Sequence, residues 1–133
     1  MAFFRRPPLV VRDQHLPQQV PIDAYGDYGF RFSEMTHPGS LLCLPSGIHG
    51  WDAATAADID RDSLAAVFDQ SDAIDVLVIG TGSDIAALPT GLRASLREAG
   101  IGLEVMGTRP AIRTYNILLA EGRPVAAALI AIR

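Results

Sequence analysis

Two short segments carry most of the residue types that could do chemistry in this chain. Gly80-Thr81-Gly82-Ser83-Asp84 joins two glycines to two hydroxyls, and Gly107-Thr108-Arg109 adds a hydroxyl and a guanidinium group. Glycines let backbone N–H groups come close to a bound anion, and Thr81, Ser83 and Thr108 add hydroxyl donors. Arg113 lies four residues beyond Arg109 and Asn116 three beyond that, so one face of a helix would carry all three. Such a face suits a carboxylate, a phosphate or the acidic side chain of a partner. Gly80, Thr81, Gly82, Ser83, Thr108, Arg109, Arg113 and Asn116 are therefore the candidate ligand or partner crevice. The bland readings compete with this one. The glycine run also reads as a tight strand-to-loop turn, and the arginines as a solvated face or as ion pairs with Glu121 or Asp84.

Other constellations carry less. The dinucleotide fingerprint needs a third glycine where Ile85 stands, and no phosphate-loop lysine exists. Asp58, Asp60, Asp62 and Asp69 imitate a calcium loop, but Ser63 replaces its glycine and Asp69 its long bidentate glutamate. They read instead as acids at the start of a helix, where the dipole favours them. Cys43, His49 and Asp52 could suggest a cysteine nucleophile. Cys43 sits in the apolar run Leu41-Leu42-Cys43-Leu44, where burial raises the thiol pKa and makes it inert. His15, His37 and His49 show no metal spacing. The expectation is no catalytic residue, no metal and no cofactor.

The elements that would hold these segments come from the apolar pattern. Ile74 to Ile79 is a short, β-branched strand, apolar enough to be covered on both faces. A helix follows, with Thr90 as its cap, a stripe of Leu92, Leu96 and Ala99, and Gly100 at its end. Ile101 to Met106 is the next strand, which completes a βαβ unit. A third helix is expected from about Pro110 to Ala120, with Thr108 as its cap, and Pro124 to Ile132 forms the last strand. Upstream, Phe30 and Phe32 alternate with Arg31 and Ser33 as in a half-buried strand, and Ser40 to Leu44 is another. Leu64, Val67 and Phe68 mark a short helix. The pattern predicts an α/β fold with a mixed central sheet, helices on its faces and a small β-rich N-terminal portion. Ligands of open α/β sheets bind outside the carboxyl ends of the strands, where Gly80 and Gly107 would emerge from parallel neighbours.

Length and charge set the outer limits. A chain of 133 residues fits one domain and needs no disulfide or metal to build a core. Pro7, Pro8, Pro17 and Pro21 break up the start, so residues 1–20 read as a flexible tail and 21–133 as a single α/β domain. The net charge is −4 and every basic residue is Arg. Weak acidity argues against nucleic acid and against an anionic membrane surface. No apolar run spans a bilayer, no signal peptide is evident, and the only cysteine is Cys43. The cytoplasm is the expected location.

Several segments together resemble one family. They are Tyr25-Gly26-Asp27-Tyr28-Gly29-Phe30-Arg31, Pro45 to Trp51, Ile79-Gly80-Thr81-Gly82, Met106 to Asn116, and Glu121 to Leu129. The combination, spanning residues 20–132, is similar to the family that includes mitochondrial complex I assembly factor three and many bacterial proteins of similar length. The resemblance implies a three-layer α/β fold with a mixed sheet, and a scaffolding role with a protein partner rather than an established reaction. The chain departs from the family at Gly107, where many relatives carry Asp, and at Pro110, where Ala is common. The missing acid at Gly107 favours packing or binding over a shared chemistry. Two functions follow as expectations: a non-catalytic interaction or assembly factor with an unknown protein partner, or a small-anion binder or weak enzyme using the strand-end crevice.

Overall fold

The computed structural model describes residues 14–133. Among the described residues nine strands form two sheets. In chain order the strands are β1 (Gln14–Leu16), β2 (Ala24–Gly26), β3 (Gly29–Phe32), β4 (Met35–Pro38), β5 (Ser40–Leu44), β6 (Gly47–Trp51), β7 (Val76–Gly80), β8 (Gly102–Met106) and β9 (Val125–Leu129). The helices are α1 (Ala65–Asp69), α2 (Leu92–Glu98) and α3 (Thr108–Ala120). The central sheet has six strands in the order β1-β6-β5-β9-β7-β8, and β2, β3 and β4 make a separate antiparallel sheet.

The central sheet is mixed, as the sequence predicts. β7 runs parallel to both β8 and β9, while β5 pairs antiparallel with β9 and β6. Each face is covered. Leu77 and Ile79 of β7, with Ala126 and Ala128 of β9, pack on one side with Leu64 and Val67 near α1 and Leu92 and Leu96 of α2. Val78, Ala127 and Leu129 point to the other side, against Ala111, Ile112 and Tyr115 of α3 and Phe30 and Phe32 of β3. Alternation along a strand explains the split. The alanines of β9 sit at the middle of the sheet, where small side chains let both layers come close. The architecture is therefore three layers, with the small sheet and α3 together forming one outer layer.

Two sequence expectations shift. Residues 14–20, read as the end of a tail, belong to the fold: β1 pairs with β6 at the sheet edge, and the Gln19 side-chain amide donates to the Val125 carbonyl at 2.7 Å. A polar, proline-punctuated segment gives no apolar period, so its pairing was not visible. The closeness of that pairing has a mark in Gly47, where a Cβ would collide with the Leu16 carbonyl. Residues 1–13 of the expected tail lie outside the described residues. The second shift is at α2, whose N-cap is Gly91 in the left-handed region rather than Thr90. Gly100 ends that helix as expected, with φ +81.

Candidate functional site

Gly80 and Met106 are register partners at the carboxyl ends of parallel β7 and β8, so the two predicted segments do emerge side by side. Their polar groups meet each other rather than a cavity. The Thr81 N–H donates to the Met106 carbonyl at 2.9 Å, and its hydroxyl donates to the Asp84 carbonyl at 2.9 Å. The same hydroxyl accepts the Ala86 N–H at 3.0 Å. Thr108 donates its N–H to the Gly82 carbonyl at 2.7 Å and its hydroxyl to the Ile130 carbonyl at 2.8 Å. That hydroxyl also accepts the Gly82 N–H at 3.1 Å. Thr81 and Thr108 are buried. Gly80 allows this close approach, since a Cβ there would lie 2.8 Å from Thr108 Cα. The turn is a knot of satisfied hydrogen bonds in which Ser83 alone of the four predicted loop residues is exposed.

The remaining predicted residues gather elsewhere, on the face of α3. Arg109, Arg113 and Asn116 line one cavity of about 300 Å³ together with Asp23 and Tyr25, over a floor that includes Ile112. None of Gly80, Thr81, Gly82, Ser83 or Thr108 lines it. The eight candidates therefore form two groups. Asn116 builds the cavity wall: its Oδ1 accepts the Ile22 N–H at 2.9 Å, and its Nδ2 donates to the Ile22 carbonyl at 2.9 Å. The neighbouring Tyr115 hydroxyl donates to the Val20 carbonyl at 2.8 Å. These bonds clamp residues 20–22 onto α3 and so place Asp23 and Tyr25 beside the arginines. Asp23 and Tyr25 went unmarked in the sequence because nothing local ties them to a helix more than eighty residues on.

Both guanidinium groups remain open to a ligand. Arg109 and Arg113 are exposed, and among the described residues neither forms an ion pair. The Arg109 guanidinium lies 5.7 Å from the Tyr25 ring centroid, within cation–π range. Glu121, a predicted partner of these arginines, instead faces Arg123 at 3.9 Å. An acidic group entering the cavity would meet two cations and one aromatic face, with Asp23 setting a polarity across it.

The secondary constellations resolve simply. Asp60 Oδ1 accepts the Ser63 N–H at 2.8 Å, and Asp58 Oδ2 accepts the Ala54 N–H at 2.9 Å and the Thr55 N–H at 3.0 Å. Those backbone donors hold the Asp58 carboxyl below its ordinary pKa. Among the described residues no three His, Cys, Asp or Glu side chains gather as metal ligands. Cys43 is fully buried, and burial pushes its thiol up to about 12, against a smaller opposing effect of its hydrogen bond with Tyr115. His49 pairs with Leu42 across β5 and β6, so it lies on the sheet face opposite Cys43. One Ser–His contact does exist: Ser46 Oγ lies 2.9 Å from His49 Nε2. The Ser46 N–H is taken by Gln70 Oε1 at 3.0 Å, and Gln70 Nε2 donates to Ser46 Oγ at 2.8 Å. The serine is thus one corner of a polar clasp between the β5–β6 turn and the end of α1.

The class defined so far is a three-layer α/β domain with a closed strand-end turn and an arginine-lined cavity on one helix. The chain belongs to the family described as protein of unknown function (DUF498/DUF598), which matches residues 22–130. It is 40% identical over 111 residues to an uncharacterised protein of Rhodobacter capsulatus, covering 84% of each chain. It is 30% identical over 127 residues to the rat NADH dehydrogenase [ubiquinone] 1 alpha subcomplex assembly factor 3, covering 96% of this chain and 69% of the rat protein. Among solved structures, a Bartonella henselae chain described as an outer membrane protein superimposes with a TM-score of 0.85 at 48% identity, covering 90% of this chain and 100% of that one. The family and the fold implied by the resemblance are thus those of this chain. No helix among the described residues is long and apolar enough to cross a membrane.

Proposed function

We propose that this chain is a non-catalytic protein-binding factor of the assembly type, and that Arg109 and Arg113 form the centre of its contact surface. The observation that carries the reading is the pair of exposed guanidinium groups, without an ion pair among the described residues, over a cavity that Asn116 builds by holding Ile22. The likeness to assembly factor 3 supports the same direction. Two forked donors beside an aromatic ring suit the acidic side chains of a partner segment, and Arg is favoured at such contacts. Ile117, 52% exposed on the same helix, supplies an apolar rim. A cytoplasmic setting accompanies this reading, since the lone Cys43 is a buried free thiol.

A photo-crosslinking residue at position 117 tests it. The expected result is one discrete crosslinked protein whose attached peptide is acidic, with the band lost in an Arg109→Glu plus Arg113→Glu variant of unchanged melting temperature. A band that survives the double charge reversal overturns the reading. A thermal shift with phosphate or acetate that disappears in that variant, with no protein crosslink, would assign the arginines to a small anion instead.

A further inference from the structure

We propose that a second cavity, between the β2–β3 turn and the ends of β5, β6 and β9, receives an arginine side chain of the partner protein. The cavity measures about 460 Å³, larger than the one beside Arg109. Tyr28, Ser40, Trp51, Asp52 and Ala131 are among its lining residues, and among the described residues Asp52 is the only charged one there. Among the described residues Asp52 forms no ion pair. Exposed Asp52 shares this hollow with Tyr28, Trp51 and small apolar residues, a setting that suits a flat cation. A guanidinium group stacks on a ring while forking to a carboxylate, which a compact ammonium does less well. The chain already places Arg against aromatic rings twice, Arg61 at 4.2 Å from the Phe68 centroid and Arg109 at 5.7 Å from that of Tyr25.

The two aromatic residues are held in place by contacts that have nothing to do with a ligand. The Trp51 indole N–H donates to the Ser63 carbonyl at 2.8 Å, and the residue is only 8% exposed. Tyr28 is 56% exposed and sits at φ +59, in the left-handed region where a bulky residue is uncommon and glycine is at ease. Its N–H donates to the Ile132 carbonyl at 2.8 Å and its own carbonyl accepts the Gly39 N–H at 2.7 Å. The fold thus keeps an exposed aromatic residue in an unfavourable backbone position at the edge of this cavity. Asp27 beside it and Ser33 and Glu34 of the next hairpin turn share the positive φ, so the feature that sets Tyr28 apart is the bulk and exposure of its ring. Tyr25 of β2 lines the arginine cavity and Tyr28 of the adjoining turn lines this one, so a single hairpin separates a basic hollow from an acidic one. A partner presenting an acidic and a basic side chain would engage both.

The proposal rests on the protein-binding reading for its choice of occupant, but its first test is independent of any partner. Trp51 is the only tryptophan, so its emission reports on the cavity directly. The full chain is titrated with N-acetyl-arginine methylamide, and with the citrulline analogue as an uncharged control of similar shape. The expected result is a saturable change with arginine and none with citrulline. Asp52→Asn should weaken binding about tenfold, the usual scale for losing a charge-assisted hydrogen bond. Tyr28→Gly should weaken it severalfold while the melting temperature holds or rises, because glycine removes the ring and relieves the backbone together. A linear rather than saturable change, equal response to citrulline, or unchanged affinity in Asp52→Asn overturns the site. The crosslink at position 117 reads the Arg109 face separately, so a silent titration removes this cavity without touching that reading. If the probe binds but crosslinking is as strong in Asp52→Asn as in the parent chain, the partner side chain is overturned as the natural occupant.

Discussion

The turn after β7 and the face of α3 contain the same kinds of residue and do opposite things. In the turn, the two buried hydroxyls are bonded within the chain, Thr81 to Met106, Asp84 and Ala86, and Thr108 to Gly82 and Ile130, and of the predicted hydroxyls only Ser83 stays exposed. On the helix, Arg109 and Arg113 form no ion pair among the described residues, and Asn116, which lines the same cavity, holds its wall in shape. Buried polar groups must find partners, and a group that has found them inside the chain is no longer available to a ligand. Residue type therefore says less about function than the number of donors left over after folding.

The comparison is easiest to break at the turn. Gly80→Ala puts a Cβ 2.8 Å from Thr108 Cα, a backbone atom that cannot swing aside. The expected loss is about 3 kcal/mol by denaturant melt, the upper range of overpacking. A loss under about 0.5 kcal/mol, the scale of a neutral surface change, would mean the turn is looser than its hydrogen bonds indicate. Thr108→Val keeps the shape and deletes the hydroxyl, which leaves the Gly82 N–H and the Ile130 carbonyl without their partner. About 2 kcal/mol should go, within the range for orphaned buried groups. If binding to a partner falls while stability does not, the turn is a site after all.

A pH series separates buried chemistry from exposed chemistry. The folded Cys43 thiol titrates near 12, above its ordinary value of 9.0, and burial also raises the Tyr115 hydroxyl. A raised folded pKa on an acid means the unfolded chain loses its proton first. Stability is therefore full below pH 9 and falls as pH rises from 9 toward 12, by up to about 1.4 kcal/mol per pH unit for the thiol. Cys43→Ala should flatten that slope in part and leave Tyr115 to supply the rest. An unchanged slope would place the alkaline loss elsewhere. Asp58, held below its ordinary pKa by backbone donors, contributes in the opposite direction and only in acid: its share is present above pH 3.8 and lost below it.

How much of this was legible follows from the range over which each signal acts. The β7–α2–β8 unit, the end of α3 and both covered sheet faces are written in local apolar period and in Gly100 and Gly122, so a reading of the chain finds them, whereas α3 starts at Thr108 with Gly107 as its N-cap, ahead of the expected start at Pro110. The pairing of β1 with β6 is not, because three polar-flanked residues at a sheet edge carry no period. The division of the candidate site was equally hidden. Thr108 reads as a helix cap, but its side chain turns inward to Ile130 across the sheet, and only the strand order brings that carbonyl near. Arg109 follows directly in sequence yet points to Tyr25, a residue from the other sheet. Adjacent residues on the first turn of a helix face different layers, which sends a single predicted cluster two ways.

The smallest expected effect on stability is the sharpest test of the contrast. Arg109→Ala with Arg113→Ala removes two exposed side chains that form no ion pair among the described residues, and its melt should stay within about 0.5 kcal/mol of the parent chain. The modest contact of Arg109 with Tyr25 is worth no more than about 1 kcal/mol at an exposed site. Asn116→Ala gives the necessary companion. It leaves both arginines in place but frees Ile22, so it should lower stability by about 1 kcal/mol per lost hydrogen bond and weaken partner capture indirectly. If the arginines act as direct contacts, the double variant loses capture at full stability, while Asn116→Ala loses both together. If instead the double variant melts as early as Asn116→Ala does, the arginines belong with the turn as parts of the fold, and the contrast between the two regions collapses.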